Sequence, residues 1–406
     1  MRRVASAGLI AALALPACAR PALESAAPAP GCETAIHDWT GPVAFLDSAI
    51  AAGAAPGGVM AVSYRGKRFY HGAGRLGLDD PGRPDRHTVY DLASLTKVVG
   101  LTTAVMLAVS EGRIALDDPV TKYVPAFGSG APERSAVTIR HLLAHASGLP
   151  GHRPLYREAN SRREALGLVD TTPLIRAPGD TMVYSDLGAI VLTQAVEARY
   201  GERIDSLLAR RVFGPLHMRS TRYLPPPSWR ARIAPTEDDP WRGRVLRGEV
   251  HDENAARLGG VSGHAGLFSD AEDLLRFGEW LLGAVHSGGA EAPDTRSGPI
   301  PVHPSVAREF TRRQNLPPGS TRALGWDTPS ASGSSAGRRF SPESFGHTGF
   351  TGTSIWIDPT RHLVLVLLTN RVHPTRANPR IGPLRSGLAD RVVDAACVAS
   401  SPPVRR

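Results

Sequence analysis

The chain of 406 residues is 42% apolar and 21% charged, enough to bury a sizeable core as one large domain or two. Its formal net charge of +9 is spread along the sequence without aromatic clustering, which argues against a nucleic-acid interface. Arginine carries nearly all the positive charge, because lysine occurs only as Lys67, Lys97 and Lys122.

The N-terminus reads as a targeting segment over 1–19. Arg2 and Arg3 precede a short apolar core from Leu9 to Leu15, followed by the small residues Ala17, Cys18 and Ala19. That core is too short to span a bilayer. Two cleavages are open: a lipobox at Leu15-Pro16-Ala17-Cys18, leaving a lipid on Cys18 as a membrane tether, or an ordinary signal-peptidase site at Ala17-x-Ala19. An exported chain meets an oxidising compartment, where Cys32 and Cys397 either pair or remain free thiols. Residues 20–36, rich in Ala and Pro, read as a tether, and 37–400 as a single domain.

Along that domain, Trp39 to Ala52 has helical spacing, and Gly58 to Gly72 gives two alternating runs about Arg65-Gly66, a hairpin. Helices are then predicted from Ser94 onward, at His141 to Ala146, Gly188 to Tyr200, Ile204 to Phe213 and Ala271 to Leu282. The last begins with Ser269-Asp270-Ala271-Glu272, which fits a capping box. Gly283 to Pro301 and Pro329 to Gly337 read as loops. Thr353 to Ile357 and Leu363 to Thr369 form a second hairpin, and a helix from Leu388 to Val398 closes the chain. Strands at both ends with helices between predict an α+β fold. An antiparallel sheet is built from the N- and C-terminal segments (about 37–95 and 340–400), flanked by helices, with a mainly helical lobe (about 96–339) inserted. The seam between lobes is where a cleft forms.

Three motifs converge on that seam. In Ser94-Leu95-Thr96-Lys97 the hydroxyl and the amine are i and i+3 neighbours on one helix face. A lysine there can help deprotonate a serine, which arginine cannot do. Alone, the motif also fits a helix cap followed by a snorkelling lysine. Tyr184-Ser185-Asp186 lies just ahead of a helix, and His347-Thr348-Gly349 just before the C-terminal hairpin.

A Ser-x-x-Lys helix, a Tyr-x-Asn-like triplet and a Lys/His-Thr-Gly strand, in that order, resemble the penicillin-recognising serine hydrolases: serine β-lactamases, DD-peptidases and related esterases. The tyrosine motif is similar to the class C β-lactamase and DD-carboxypeptidase branch. Thr138 to Leu149 and Val212 to Met218 also resemble that branch, and the likeness runs from Trp39 to the final helix.

The resemblance implies a β-lactamase/transpeptidase-like fold and an acyl-enzyme on Ser94. Tyr184 is the expected base, supported by Lys97, and the amides of Ser94 and Phe350 form the oxyanion hole. His347, Thr348 and Gly349 line the opposite wall. Asp186 replaces the usual Asn and can only accept hydrogen bonds when ionised. His347 replaces the lysine common in β-lactamases, so it attracts a substrate carboxylate less firmly. The expected activity is hydrolysis of a small ester, amide or D-amino-acid peptide derived from peptidoglycan, by a monomer without cofactor or metal. The alternatives are a true class C-like β-lactamase and a non-catalytic penicillin-binding sensor.

Other polar clusters read more plainly. His141 and His145, at i and i+4, lack a third ligand at suitable spacing and read as packing residues. His251-Asp252-Glu253-Asn254 with His264, in a glycine-rich stretch, reads as the cleft wall facing the serine. Asn370-Arg371 either reaches a substrate carboxylate or forms a surface turn.

Overall fold

The computed structural model describes residues 37–287 and 299–396. The targeting segment, the tether, Cys18, Cys32 and Cys397 lie outside them. Helix α1 (Thr40–Ala51) leads into the hairpin β1 (Gly57–Tyr64) and β2 (Lys67–Gly74). Near the C-terminus come β3 (Phe345–Thr348), β4 (Ser354–Asp358) and β5 (Leu363–Thr369). The five strands form one antiparallel sheet in the order β2-β1-β5-β4-β3. Gly58 faces Thr369 and Tyr64 faces Leu363, so the first and last segments complete one sheet.

All eight residues of β1 are buried. A strand covered on both faces reads as a continuous apolar run, which corrects the alternation expected for it. One face is covered by α1 and by α5 (Ile381–Ala396), around Leu46, Met60, Leu365 and Leu388. The other is covered by α4 (Ala271–His286), which packs on β1, β4 and β5 and brings Gly278 against Val364. The larger core there spreads into the helices α2 (Thr103–Ser110) and α3 (Asp186–Tyr200). Each Leu, Ile or Val buried in these cores is worth about 1.5–3 kcal/mol.

Three boundaries differ from expectation. Helix α4 belongs to the sheet layers and not to the helical lobe. Its cap is Asp270, whose carboxylate accepts from the Asp273 amide, because Ser269 ends a short strand and bonds Thr221 at 2.7 Å. Helix α5 starts at Ile381, not Leu388, since Pro383 falls in the first turn, where proline is tolerated. The helix expected over His141 to Ala146 is Ile139–Leu143, capped by Thr138.

The segment Ala93–Ser110 is apolar and long enough to cross a membrane, but 83% of it is buried in this core. It is not one regular helix. A 3₁₀ turn (Ala93–Leu95) is followed by a π-helical turn (Lys97–Thr102) and then by α2. Such wide π turns are frequent at functional sites.

Candidate active site

Ser94 is presented by a strained turn. Ala93 has φ of +45°, a conformation costly for a residue with a Cβ. The Asp91 carboxylate holds it, accepting from the Ala93 amide at 2.8 Å and the His251 amide at 2.6 Å. Burial pushes that carboxyl above its usual range despite both bonds.

Lys97 is 3% exposed. Its Nζ donates to Ser94 Oγ at 3.0 Å and to the His264 carbonyl at 3.0 Å, and it pairs with Asp186 Oδ1 at 2.7 Å. Burial works to strip its proton, yet Asp186 and Tyr184 hold its pKa above the ordinary lysine value. Lys97 is therefore an ammonium, as the substitution Asp186 suggests.

Tyr184 immediately precedes α3, whose cap, the Ser185 hydroxyl, accepts from the Gly188 amide at 3.1 Å. Its ring lies 4.9 Å from Lys97 Nζ and 5.1 Å from the Arg322 guanidinium. Its hydroxyl is buried near the ammonium without a well-aligned hydrogen bond to any group among the described residues. His145 grips both sides of this residue. Its carbonyl accepts from Val183 N at 2.8 Å, its Nδ1 from Ser185 N at 3.1 Å, and its ring lies 4.5 Å from the phenol.

His347 on β3 donates from Nδ1 to the Thr348 carbonyl at 2.8 Å. This leaves buried Nε2 as an acceptor with no partner, in a ring 5.9 Å from that of Tyr184. Burial, with Arg322 and Lys97 nearby, holds both His347 and His145 neutral, well below the usual imidazole pKa. Position 347 thus offers a lone pair where a lysine would offer a charge.

A pH effect follows. Below about pH 6.5 the unfolded imidazoles take up protons that the folded ones refuse, so stability falls with pH. Thermal melts are expected to drop between pH 7 and pH 5, and a His145→Asn variant to show a smaller drop.

The turn after β3 is tied to the nucleophile. Thr351 Oγ1 donates to the Asp91 carbonyl at 2.7 Å and Thr353 Oγ1 to that of Leu92 at 3.0 Å. Among the described residues, the amides of Ser94 and Phe350 donate to no protein group. Gly349 permits the close approach, because a Cβ there would lie 2.1 Å from Thr353 Oγ1 and 2.3 Å from the Leu92 carbonyl. Gly349→Ala is expected to slow acylation by a fluorophosphonate at least ~100-fold with the circular dichroism spectrum retained.

Two expected residues do not reach the cleft. Asn370 donates from Nδ2 to the carbonyls of Leu76 (2.7 Å) and Pro235 (3.0 Å). Arg371 donates to the carbonyls of Phe350, Arg376 and Asn378, under the Phe350 ring. Both hold backbone, which corrects the reading of a carboxylate-binding pair. His251 stacks against Phe350 at 5.8 Å, His264 bonds Asp252 at 2.9 Å, and the His264 carbonyl accepts from Lys97 Nζ, which places this segment beside Lys97. His141 accepts from Thr138 N at 3.1 Å within its helix cap. Among the described residues no group of three or more His, Cys, Asp or Glu is arranged to hold a metal ion. Sequence reasoning missed His145 as a partner of Tyr184, and missed Arg322 and Arg385. His145 carried a signal in its motif; the arginines were hidden among many.

The Beta-lactamase family model matches residues 44–388. The chain belongs to the beta-lactamase family. It is a serine hydrolase of that family with an antiparallel sheet flanked by helices. A relative in Salmonella schwarzengrund, described as "Putative D-alanyl-D-alanine carboxypeptidase", is 33% identical over 338 residues, covering 75% of this chain and 74% of the relative. The fold is shared with EstCE1, "a hydrolase with promiscuous acyltransferase activity" (TM-score 0.68, 21% identity, 87% of this chain and 97% of that one). It is also shared with a class C beta lactamase from Rhodobacter sphaeroides (0.66, 19%, 87% and 98%) and a penicillin-binding protein homolog from Caulobacter crescentus (0.68, 18%, 89% and 99%).

Proposed function

We propose that this beta-lactamase family member hydrolyses small esters, amides and D-amino-acid peptides of the DD-carboxypeptidase/esterase type through an acyl-enzyme on Ser94. The observation that carries this reading is the buried Lys97 ammonium, bonded at once to Ser94 Oγ and Asp186 beside the unpartnered Tyr184 hydroxyl. Ser94 Oγ attacks the carbonyl while its proton passes to Tyr184 acting as a phenolate, and the resulting phenol then gives that proton to the leaving group. The Lys97 ammonium favours the phenolate before the transfer. The Ser94 and Phe350 amides bind the developing oxyanion.

The neutral acceptor at His347 supports esters in particular, because it offers no charge to the carboxylate that a β-lactam and a D-alanyl peptide both carry. The curated relative's name points to the D-alanyl peptide among these substrates. The same likeness supports a place in the bacterial cell envelope, and the N-terminal targeting pattern a tether through a lipid on Cys18.

Intact-mass spectrometry of the wild type with a p-nitrophenyl ester, an N-acyl-D-Ala-D-Ala peptide and a penicillin tests this. The expected result is transient acylation with turnover of the ester or peptide, and a long-lived penicillin adduct. Fast penicillin turnover would establish the β-lactamase instead. A stable penicillin adduct without turnover of the other two means a sensor, and no adduct at all removes the catalytic reading.

A further inference from the structure

The turn from Gly349 to Thr353 is held from behind by the buried Arg371 and the partly buried Arg385. Arg385, on α5, donates from one terminal nitrogen to the Gly349 carbonyl at 2.6 Å and to the Thr353 carbonyl at 2.8 Å. The Thr353 carbonyl is also the acceptor of the Gly349 amide, at 2.8 Å, so one guanidinium nitrogen bridges both ends of the turn. Arg371 donates from Nε to the Phe350 carbonyl at 2.8 Å, with its guanidinium carbon 4.3 Å from the centre of the Phe350 ring. Among the described residues neither arginine lies within ion-pairing distance of a carboxylate. The Nε of Arg385 is buried and donates to nothing. Burial and the neighbouring Arg371 push Arg385 down to about 9, so it remains charged at neutral pH.

The Gly349 carbonyl and the Phe350 N–H belong to the same peptide unit. In a trans planar peptide these two groups point in opposite directions. A cation bonded to the carbonyl therefore fixes where the N–H points, away from the guanidinium. It also draws electron density toward the carbonyl oxygen and makes the N–H a stronger donor, as linked hydrogen bonds polarise one another. Among the described residues, the Phe350 N–H is left without an acceptor.

We propose that Arg385 is the positioning residue of the oxyanion hole, aiming and polarising the Phe350 amide through the Gly349–Phe350 peptide, with Arg371 locking the next carbonyl. Resting on the acyl-enzyme reading above, this makes the negative charge formed on the substrate oxygen the counter-charge of a guanidinium that has no carboxylate partner among the described residues. The cation touches no substrate atom. It acts one peptide behind the donor, where water screens it poorly.

The test compares Arg385→Met and Arg385→Lys with wild type, using an uncharged p-nitrophenyl ester and its thionoester, whose sulfur accepts hydrogen bonds poorly. Arg385→Met is expected to lower kcat for the oxygen ester about 10- to 100-fold with KM within about threefold. The oxygen-to-sulfur rate ratio should fall about tenfold, and Arg385→Lys should recover most of both. In protein labelled with ¹⁵N-phenylalanine, the Phe350 amide resonance should move in Arg385→Met whether or not the enzyme turns over. An unchanged ratio together with an unmoved resonance in a folded Arg385→Met overturns the proposal. So does a loss confined to KM and to carboxylate-bearing substrates, which would make Arg385 a substrate ligand. If Arg385→Met fails to fold, the ratio and resonance of Arg385→Lys decide on the same terms. A wild type acylated on Ser94 that shows no oxygen-over-sulfur preference removes the oxyanion hole, and the proposal with it. A wild type that is never acylated removes the functional reading instead, and the Phe350 resonance still decides the role of Arg385.

Discussion

A Ser94→Ala enzyme is expected to lose roughly 10⁴- to 10⁶-fold of its turnover, because no other side chain can form the acyl bond at that position. The substitution is structurally mild. Ser94 Oγ is one of three groups around Lys97 Nζ, and the ammonium keeps the His264 carbonyl and Asp186 when it is gone. The strained turn is also held independently of the hydroxyl, through Asp91 and the Ala93 amide. Melting temperature should therefore shift by no more than a few degrees. The readout is intact mass after fluorophosphonate treatment, where wild type gains one adduct and Ser94→Ala none. Labelling of the variant at the wild-type rate would move the nucleophile elsewhere.

Lys97→Met is expected to lower kcat about 10³- to 10⁴-fold while leaving the nucleophile in place. Three effects add. Ser94 Oγ loses the donor that orients it, the Asp186 carboxylate loses its counter-ion, and the Tyr184 phenolate that takes the serine proton is no longer favoured by a neighbouring ammonium. Removing one partner of a buried ion pair can cost 3–5 kcal/mol, but Asp186 is 22% exposed and water takes part of the charge. A destabilisation of about 1–3 kcal/mol is expected in urea titration. Lys97→Arg should not restore activity, since a planar guanidinium does not fit three acceptors converging on one nitrogen. Because the Lys97 pKa is held above its ordinary 10.5, its contribution to stability is complete below that pH and is lost only as pH rises through the higher folded value. No limb of the activity profile between pH 5 and 9 belongs to this lysine. A titration of Lys97 in that window, seen by NMR, would contradict the assignment.

The sheet and the nucleophile were legible because their signals are local. The run from Gly57 to Tyr64, the turn at Arg65-Gly66 and the Asp358-Pro359 turn mark strands by composition alone. Ser94 and Lys97 announce themselves by spacing. What stayed hidden depends on distant packing. His145 serves the site through its own carbonyl and a backbone amide of Ser185, 40 residues on, and no periodicity encodes that. Arg385 lies in the first turns of α5, where Gly382, Pro383 and Gly387 weaken the helical pattern, so its direction could not be read. Asn370 and Arg371 looked like free polar groups ending a strand. In the fold the strand end is roofed over, and their donors are spent on carbonyls from Leu76, Pro235 and Phe350. Cap positions shifted by a residue or two for a similar reason: Ser269 was claimed first by a strand and by Thr221.

The bond from Thr351 to the Asp91 carbonyl joins residues 260 positions apart, and β1 finds its neighbour in β5, at the far end of the chain. The nucleophile is therefore synthesised long before the segment that completes its oxyanion hole. A growing chain can collapse its helical lobe early, but β1 stays unpaired on one side until the central strand, Leu363–Thr369, has emerged. On the proposed mechanism, catalytic competence is thus the last thing the polypeptide acquires. On that reading a chain cut short before Gly349 would carry Ser94, Lys97 and Tyr184 intact and still be inert, keeping a reactive serine silent until the segment around Gly349 has been made.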